Sequence, residues 1–227
     1  MPFFKTHGKG GALTIYMDHY VGDKPLQFDT VTYTNAAGQP FTLTKFKYYI
    51  SNINLKKATG GSITLDGYYL VNEEDADSKQ IRFKHLPEGD YEGVSFTIGV
   101  DSASNCSGAQ SGALDPINGM FWAWNTGYIF LKLEGKSPVS TSSGNEFEFH
   151  IGGYKAPANC IRTVALHFGK TMSLDDDREV HIKVDASEVL KTPTTIDLSK
   201  ISSVTDFQNA TTIADNYADM FSVLSVK

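Results

Sequence analysis

Apolar and polar residues alternate with a period of two along most of the chain. The alternation is clearest in segments in which every second residue is apolar, namely residues 13–19, 94–100, 129–133, 147–151, 164–168 and 180–184. Because successive side chains of a β-strand point to opposite faces of a sheet, each segment predicts a half-buried strand. Eight or more short strands with turn residues between them predict an all-β fold, a sandwich or a barrel. Of these we expect an antiparallel β-sandwich that forms a single domain over residues 1–227.

Three local features interrupt this alternation. The apolar parity changes at residues 51–52, which predicts a β-bulge. The Asp-Gly pair at residues 66–67, with apolar residues on both sides, predicts a hairpin turn. Near the C-terminus, Thr212 with Asp215 three residues later resembles a capping box. Apolar residues recur at helical spacing in the same segment. These residues predict a short C-terminal helix: Ile213, Tyr217, Met220 and Leu224.

The stretch from residue 101 to residue 125 is not strand-like and predicts a long irregular loop, which in a compact domain is often functional. Its oxygen-bearing side chains offer ligands for calcium, although residues of these types also form ordinary turns; they are Asp101, Asn105, Asp115 and Asn118. The aromatic residues at the end of the stretch could form a surface that binds carbohydrate or another protein; they are Trp122, Trp124 and Tyr128. The loop therefore carries two alternative binding chemistries.

Composition narrows the classes of function. The net charge of −6 and the lack of any Lys/Arg-rich stretch argue against a nucleic-acid binder. The chain contains no apolar run long enough to cross a membrane, and its first residues lack the apolar core of a signal peptide. Two cysteines, Cys106 and Cys160, leave two alternatives open: a disulfide, which would indicate an oxidising compartment, or two free thiols.

Motifs for covalent catalysis are missing from the sequence, since there is neither a Gly-x-Ser-x-Gly elbow nor a phosphate-binding glycine motif. We therefore expect a binding protein rather than an enzyme. Imidazole is a good ligand for copper and zinc, and the chain has six histidines: His7, His19, His85, His150, His167 and His181. His150 lies at a strand end before two glycines, and His19 has the apolar parity of its strand. His167 and His181 have the parity of solvent-facing residues.

Several segments together resemble the MbnP-like family of copper-binding or methanobactin-operon-associated proteins. The resemblance covers nearly the whole chain, and its most specific segments are GALDP at residues 112–116, MFWAWNTGY at residues 120–128 and FEFHIGG at residues 147–153. It implies a periplasmic or extracellular β-sandwich whose signal peptide is absent here. It also implies copper held by histidine beside a tryptophan that a partner dihaem enzyme oxidises to kynurenine.

Transferred residue by residue, the resemblance makes Trp122 and Trp124 the candidates for oxidation and His150 the candidate copper ligand. Better-known relatives have a further histidine in the segment that here reads SNCS at residues 104–107. In its place, the thiol of Cys106 or the imidazole of His19 could supply a ligand. The sequence thus predicts a copper site of His150 and a nearby tryptophan, with His19 as a second ligand.

Overall fold

A computed structural model describes residues 10–108, 110–122, 127–205, 207 and 209–227. Within them lie two α-helices, α1 (Ser102–Cys106) and α2 (Ala210–Tyr217), besides six short 3₁₀-helices, and no helix of the described residues is long and apolar enough to span a bilayer. The strands of the described residues are β1 (Leu13–Val21), β2 (Lys24–Pro25), β3 (Tyr33–Thr34), β4 (Pro40–Lys57), β5 (Ser62–Asn72), β6 (Gln80–Phe83), β7 (Asp90–Ile98), β8 (Phe121–Trp122), β9 (Gly127–Lys136), β10 (Glu146–Gly152), β11 (Arg162–Ser173), β12 (Arg178–Asp185), β13 (Ser203–Val204) and β14 (Phe221–Val226).

These strands form two sheets. The smaller has five strands in the order β14-β12-β1-β2, with β6 also paired to β1. The larger has nine, in the order β11-β7-β4-β9-β10-β13, with β3 and β5 paired to β4 and β8 paired to β9. The predicted β-sandwich is confirmed, but the sheets are mixed, because β1 pairs with β12 in parallel and β10 pairs with β13 in parallel.

The hydrophobic core lies between the two sheets. Along β1, buried and half-buried residues alternate strictly, as expected for a strand with one face on a core. In the larger sheet, Tyr48 of β4 pairs with Leu131 of β9, which pairs with Ile151 of β10, and all three are fully buried. Because side chains alternate across a strand, His150 lies on the opposite, outward face of this sheet.

The predicted bulge is confirmed, whereas the predicted hairpin at residues 66–67 is wrong. β4 and β5 change register between Ser51 and Ile53, and Asn52 has a positive φ of 49°. Residues 66–67 lie opposite this bulge within the continuous strand β5, where Gly67 has a φ of 133°. The Asp-Gly pair thus accommodates an irregular register, and the hairpin itself turns at residues 58–61, two of which are glycines.

The predicted C-terminal helix is confirmed, but not its cap. Helix α2 begins at Ala210, after Asn209 in the left-handed conformation, and no side chain caps its first turn. Asp215 instead forms an ion pair with Arg162, at 2.6 Å between Oδ1 and Nη2. Leu224 lies in β14 rather than in the helix.

Candidate functional site

His150 occupies the outward face of the larger sheet, beside a carboxylate on the neighbouring strand. Its Nε2 lies 2.8 Å from Oε1 of Glu134 on β9, and its side chain is 17% exposed. Lys45 of β4 approaches the other oxygen of Glu134, at 3.4 Å. The neighbouring strand β9 therefore holds the imidazole through Glu134, and Lys45 of β4 in turn contacts that carboxylate.

The charge on Glu134 fixes which ring nitrogen of His150 carries a hydrogen. The hydrogen bond from His150 and the nearby charge of Lys45 together lower the pKa of Glu134 to about 2, against the opposing effect of desolvation. An ionised carboxylate can only accept, so Nε2 of His150 donates and Nδ1 keeps its lone pair in the neutral ring. No described residue hydrogen-bonds that Nδ1. Metal-bound histidines commonly have this arrangement, with the far N–H on a carboxylate.

Trp122 lies against the end of the same strand. A Cβ atom added to Gly152, two residues after His150, would lie 2.7 Å from Cζ3 of Trp122 and 2.4 Å from the carbonyl oxygen of Tyr128. A glycine at this position therefore allows the indole to pack directly on the backbone of β10. The structure brings His150 and Trp122 to the same end of β10, whereas Trp124 lies outside the described residues.

The predicted aromatic surface is not present in the described part of the loop. Trp122 is 6% exposed and Tyr128 is 1% exposed, and the hydroxyl of Tyr128 donates to the carbonyl of Leu114 at 2.7 Å. These rings stabilise the loop from beneath, so neither offers a face to a sugar or a partner protein.

The structure does not bring His19 to His150. His19 is buried between the sheets, with Nδ1 2.7 Å from Oε2 of Glu73 and Nε2 2.9 Å from the hydroxyl of Tyr48. Tyr48 faces the core, so the two histidines lie on opposite faces of the larger sheet. Desolvation lowers the pKa of His19 despite the contact with Glu73. Both ring nitrogens are occupied, which leaves no lone pair for a metal ion in this arrangement.

The four oxygen-bearing residues proposed for calcium serve the loop itself. Asp101 accepts from the backbone N–H of Ser104 and from Tyr68, and Asp115 accepts from the N–H of Ile117. The amides of Asn105 and Asn118 donate to backbone carbonyls. In the described residues, no three His, Cys, Asp or Glu side chains are grouped so that they could hold a metal ion.

The two cysteines are free thiols, so the alternative of a disulfide is not realised. Cys106 is exposed and lies 3.5 Å from the hydroxyl of Tyr154. Cys160 is buried, and burial raises the pKa of its thiol to about 11. Neither sulfur lies in a group with other metal-ligating side chains among the described residues.

Sequence reasoning missed two residues of the His150 region. Glu134 has the same outward parity on β9 as His150 has on β10, so strand alternation combined with the pairing of these strands could have found it. The sequence marks Gly152 only as the end of a strand. Its role as the contact for Trp122 depends on packing that the alternation pattern does not contain.

Comparison with known proteins agrees with this architecture. The solved structure of MbnP from Methylosinus trichosporium is similar, with a TM-score of 0.57 at 15% identity over 83% of this chain and 80% of that chain. A search of curated proteins found no match. The family model described as MbnP matches residues 10–209, from the residues just before β1 to the residue that precedes α2. On this match, which spans both sheets, the chain belongs to the MbnP family.

Proposed function

We propose that this protein binds copper outside the cytoplasm, with His150 as a ligand and Trp122 beside the site. The proposal rests on membership of the MbnP family, whose members the sequence resemblance links to copper and methanobactin. It assigns the protein a binding role rather than catalysis. The observation that carries it is the His150–Glu134 pair, because the carboxylate orients the ring and leaves Nδ1 available for a metal.

The chemistry of the region suits copper. Neutral imidazole binds copper well, and a carboxylate that accepts the hydrogen of its other nitrogen makes the imidazole a stronger donor. Glu134 on the neighbouring strand β9 holds the ring in one orientation, which reduces the entropy lost on metal binding. The sequence candidate Trp124 lies outside the described residues.

Trp122 is the described candidate for oxidation to kynurenine. Its indole packs on Gly152 at the end of the strand that carries His150, so an aryl amine formed there would lie in the copper region. The dihaem enzyme that would carry out this oxidation remains a prediction of the family resemblance. Intact-mass measurement of protein from its native host would detect the conversion.

A competition titration tests the copper assignment. Purified protein is titrated with Cu(I) against a chromophoric chelator, alongside the variants His150→Ala and Glu134→Gln. We expect His150→Ala to lose the high-affinity binding. Glu134→Gln should weaken it by about ten- to hundredfold, the usual effect of losing the group that orients a metal-binding histidine.

The matched control is His167→Ala, which removes an outward-facing strand histidine whose side chain is 65% exposed. This variant should bind Cu(I) as the parent does. If His150→Ala and His167→Ala both titrate like the parent, His150 is not a copper ligand and the proposal fails.

A further inference from the structure

From the geometry of the smaller sheet we infer a second metal-binding site, separate from His150, on the outward face of that sheet. Its ligands are Nε2 of His181 and the carboxylate of Glu179, and its metal is a divalent ion of the zinc class. Both ligands lie on β12, and the residues that orient them lie on the adjacent strand β1. The inference does not depend on copper binding at His150.

Two residues of β1 orient the imidazole of His181. Tyr16 is its direct cross-strand partner, and the two rings stack in parallel, with centroids 4.5 Å apart and an interplanar angle of 6°. Nδ1 of His181 lies 2.8 Å from Oδ2 of Asp18. Asp18 accepts the hydrogen of Nδ1, so Nε2 of the neutral ring presents its lone pair, as in the carboxylate–histidine–metal arrangement.

Glu179 supplies the second donor at a distance that suits a shared metal ion. Its Oε2 lies 3.7 Å from Nε2 of His181, which is too long for a hydrogen bond. Two ligands at about 2.1 Å from a tetrahedral zinc ion are about 3.4 Å apart, so a small rotation of Glu179 would complete the geometry. The hydroxyl of Tyr16 donates to Oε1 of the same carboxylate at 3.4 Å, which leaves Oε2 towards the imidazole.

The cations near this face already have carboxylate partners. Nη2 of Arg82 lies 3.4 Å from Oδ2 of Asp177. Nζ of Lys183 lies 3.5 Å from Oδ1 of Asp23 and 3.8 Å from Oδ2 of Asp185. Asp18 and Glu179 therefore give the face a local negative charge that attracts a divalent cation.

The two donor atoms, an imidazole nitrogen and a carboxylate oxygen, also favour one class of metal ion over another. Imidazole with carboxylate suits Zn²⁺ and its neighbours better than Cu(I), which prefers softer ligands. With only two protein ligands, water would complete the coordination, so we expect weaker binding than at structural zinc sites, which have four protein ligands.

His167 is the comparison for His181, because it also lies near a glutamate on the surface of a sheet. Its Nε2 lies 3.9 Å from Oε2 of Glu92, a similar separation. However, the backbone N–H of Gly169 donates to its Nδ1 at 3.3 Å, so the ring hydrogen is on Nε2 and no lone pair faces Glu92. His167 is therefore a matched control, a histidine near a glutamate with the opposite tautomer.

The test is a Zn²⁺ titration of the full chain in a His150→Ala background, followed by calorimetry and by the NMR signals of the imidazole nitrogens. We expect Zn²⁺ to shift the His181 signals before those of His167. His181→Ala should abolish this binding event, Glu179→Gln should weaken it by about tenfold, and Asp18→Asn should weaken it by about ten- to hundredfold. His167→Ala should leave it unchanged.

Two outcomes would overturn the inference. One is Zn²⁺ binding that is as tight in His181→Ala as in the parent background. The other is a titration to millimolar Zn²⁺ that leaves the His181 signals unmoved while all variants remain folded. Neither outcome bears on Cu(I) binding at His150, which is measured separately in protein that retains that residue.

Discussion

The interior of the sandwich and its outward faces use the same pair of groups, a histidine and a carboxylate, to different ends. Inside, His19 contacts Glu73 and Tyr48, and both of its ring nitrogens are occupied. Outside, His150 hydrogen-bonds Glu134 through one nitrogen, and no described residue hydrogen-bonds the other. The comparison teaches that the number of partners on the ring, rather than the presence of a carboxylate, separates a structural histidine from a candidate ligand.

The largest effect should come from the interior. His19→Ala leaves the buried hydroxyl of Tyr48 without its hydrogen-bond partner, leaves the half-buried carboxylate of Glu73 with Lys79 alone, and opens a cavity between the sheets. We therefore expect a loss of about 3 kcal/mol in the free energy of unfolding. Urea denaturation measures this loss of stability. The control is His150→Ala, which should lose less than about 1 kcal/mol. Equal losses in the two variants would remove the distinction between the regions.

A smaller loss is expected at the contact between β10 and Trp122. In Gly152→Ala, the new Cβ would meet a backbone oxygen and the indole, and overpacking of this kind costs about 2 kcal/mol. Thermal or urea unfolding, with tryptophan fluorescence as the probe, measures both the loss and any movement of the ring.

The control for this contact is Gly119→Ala. Gly119, unlike Gly152, has a positive φ, of 70°, but a Cβ there would meet nothing within 4 Å. It should cost only the conformational penalty, about 1 kcal/mol, and should leave the fluorescence of Trp122 unchanged. A Gly152→Ala protein as stable as the parent would contradict the described packing.

Acid should weaken the outward pair over a defined range of pH. The pKa of Glu134 is lowered from 4.5 to about 2, so its contribution to stability is complete above pH 4.5 and is lost as the pH falls towards 2. Because the pair is partly exposed, we expect a contribution of only about 1 kcal/mol.

Urea unfolding of the parent and of Glu134→Gln, compared between about pH 5 and about pH 2.5, measures this contribution. The parent should lose more stability than the variant over this range. Glu148→Gln, on the same strand as His150, is the control and should follow the parent. An identical loss in parent and Glu134→Gln would show that the pair contributes nothing.

The last prediction concerns the reactivity of the two thiols and involves no change in stability. Cys106 is exposed and should react with a thiol reagent in the folded protein, whereas Cys160 should react only after denaturation, because it is buried and its thiol pKa is raised to about 11. A colorimetric thiol count before and after denaturation measures both. Detection of a disulfide in the purified protein would contradict the assignment of both cysteines as free thiols.

Much of the fold followed from strand alternation, because burial on one face of a sheet is a local property of the sequence. The bulge at residues 51–52 was visible as a change of parity, but the role of residues 66–67 depended on the strand lying opposite. The parallel pairing of β1 with β12 could not be predicted, since it joins residues separated by most of the chain. Alternation predicts which residues face the core, but not which strand is the neighbour.

The candidate site was predictable only in part, for a similar reason. His150 and Trp122 could be selected from the sequence, and the structure places them at one end of β10. The partners that decide what each histidine does come from other strands: Glu134 for His150, and Tyr48 with Glu73 for His19. His19 had the parity of a buried residue, yet only the assembled fold shows that its ring is fully bonded.

The parallel pairing of β1 with β12 also constrains when this protein can become stable. The central strand of the smaller sheet is made first, but its neighbour β12 begins at Arg178, near the end of the chain. A nascent polypeptide that lacks about the last fifty residues would therefore hold β1 paired only to β2 and β6, with its other edge exposed and prone to wrong associations. Such a chain would depend on chaperones, or on rapid completion, until its two ends meet.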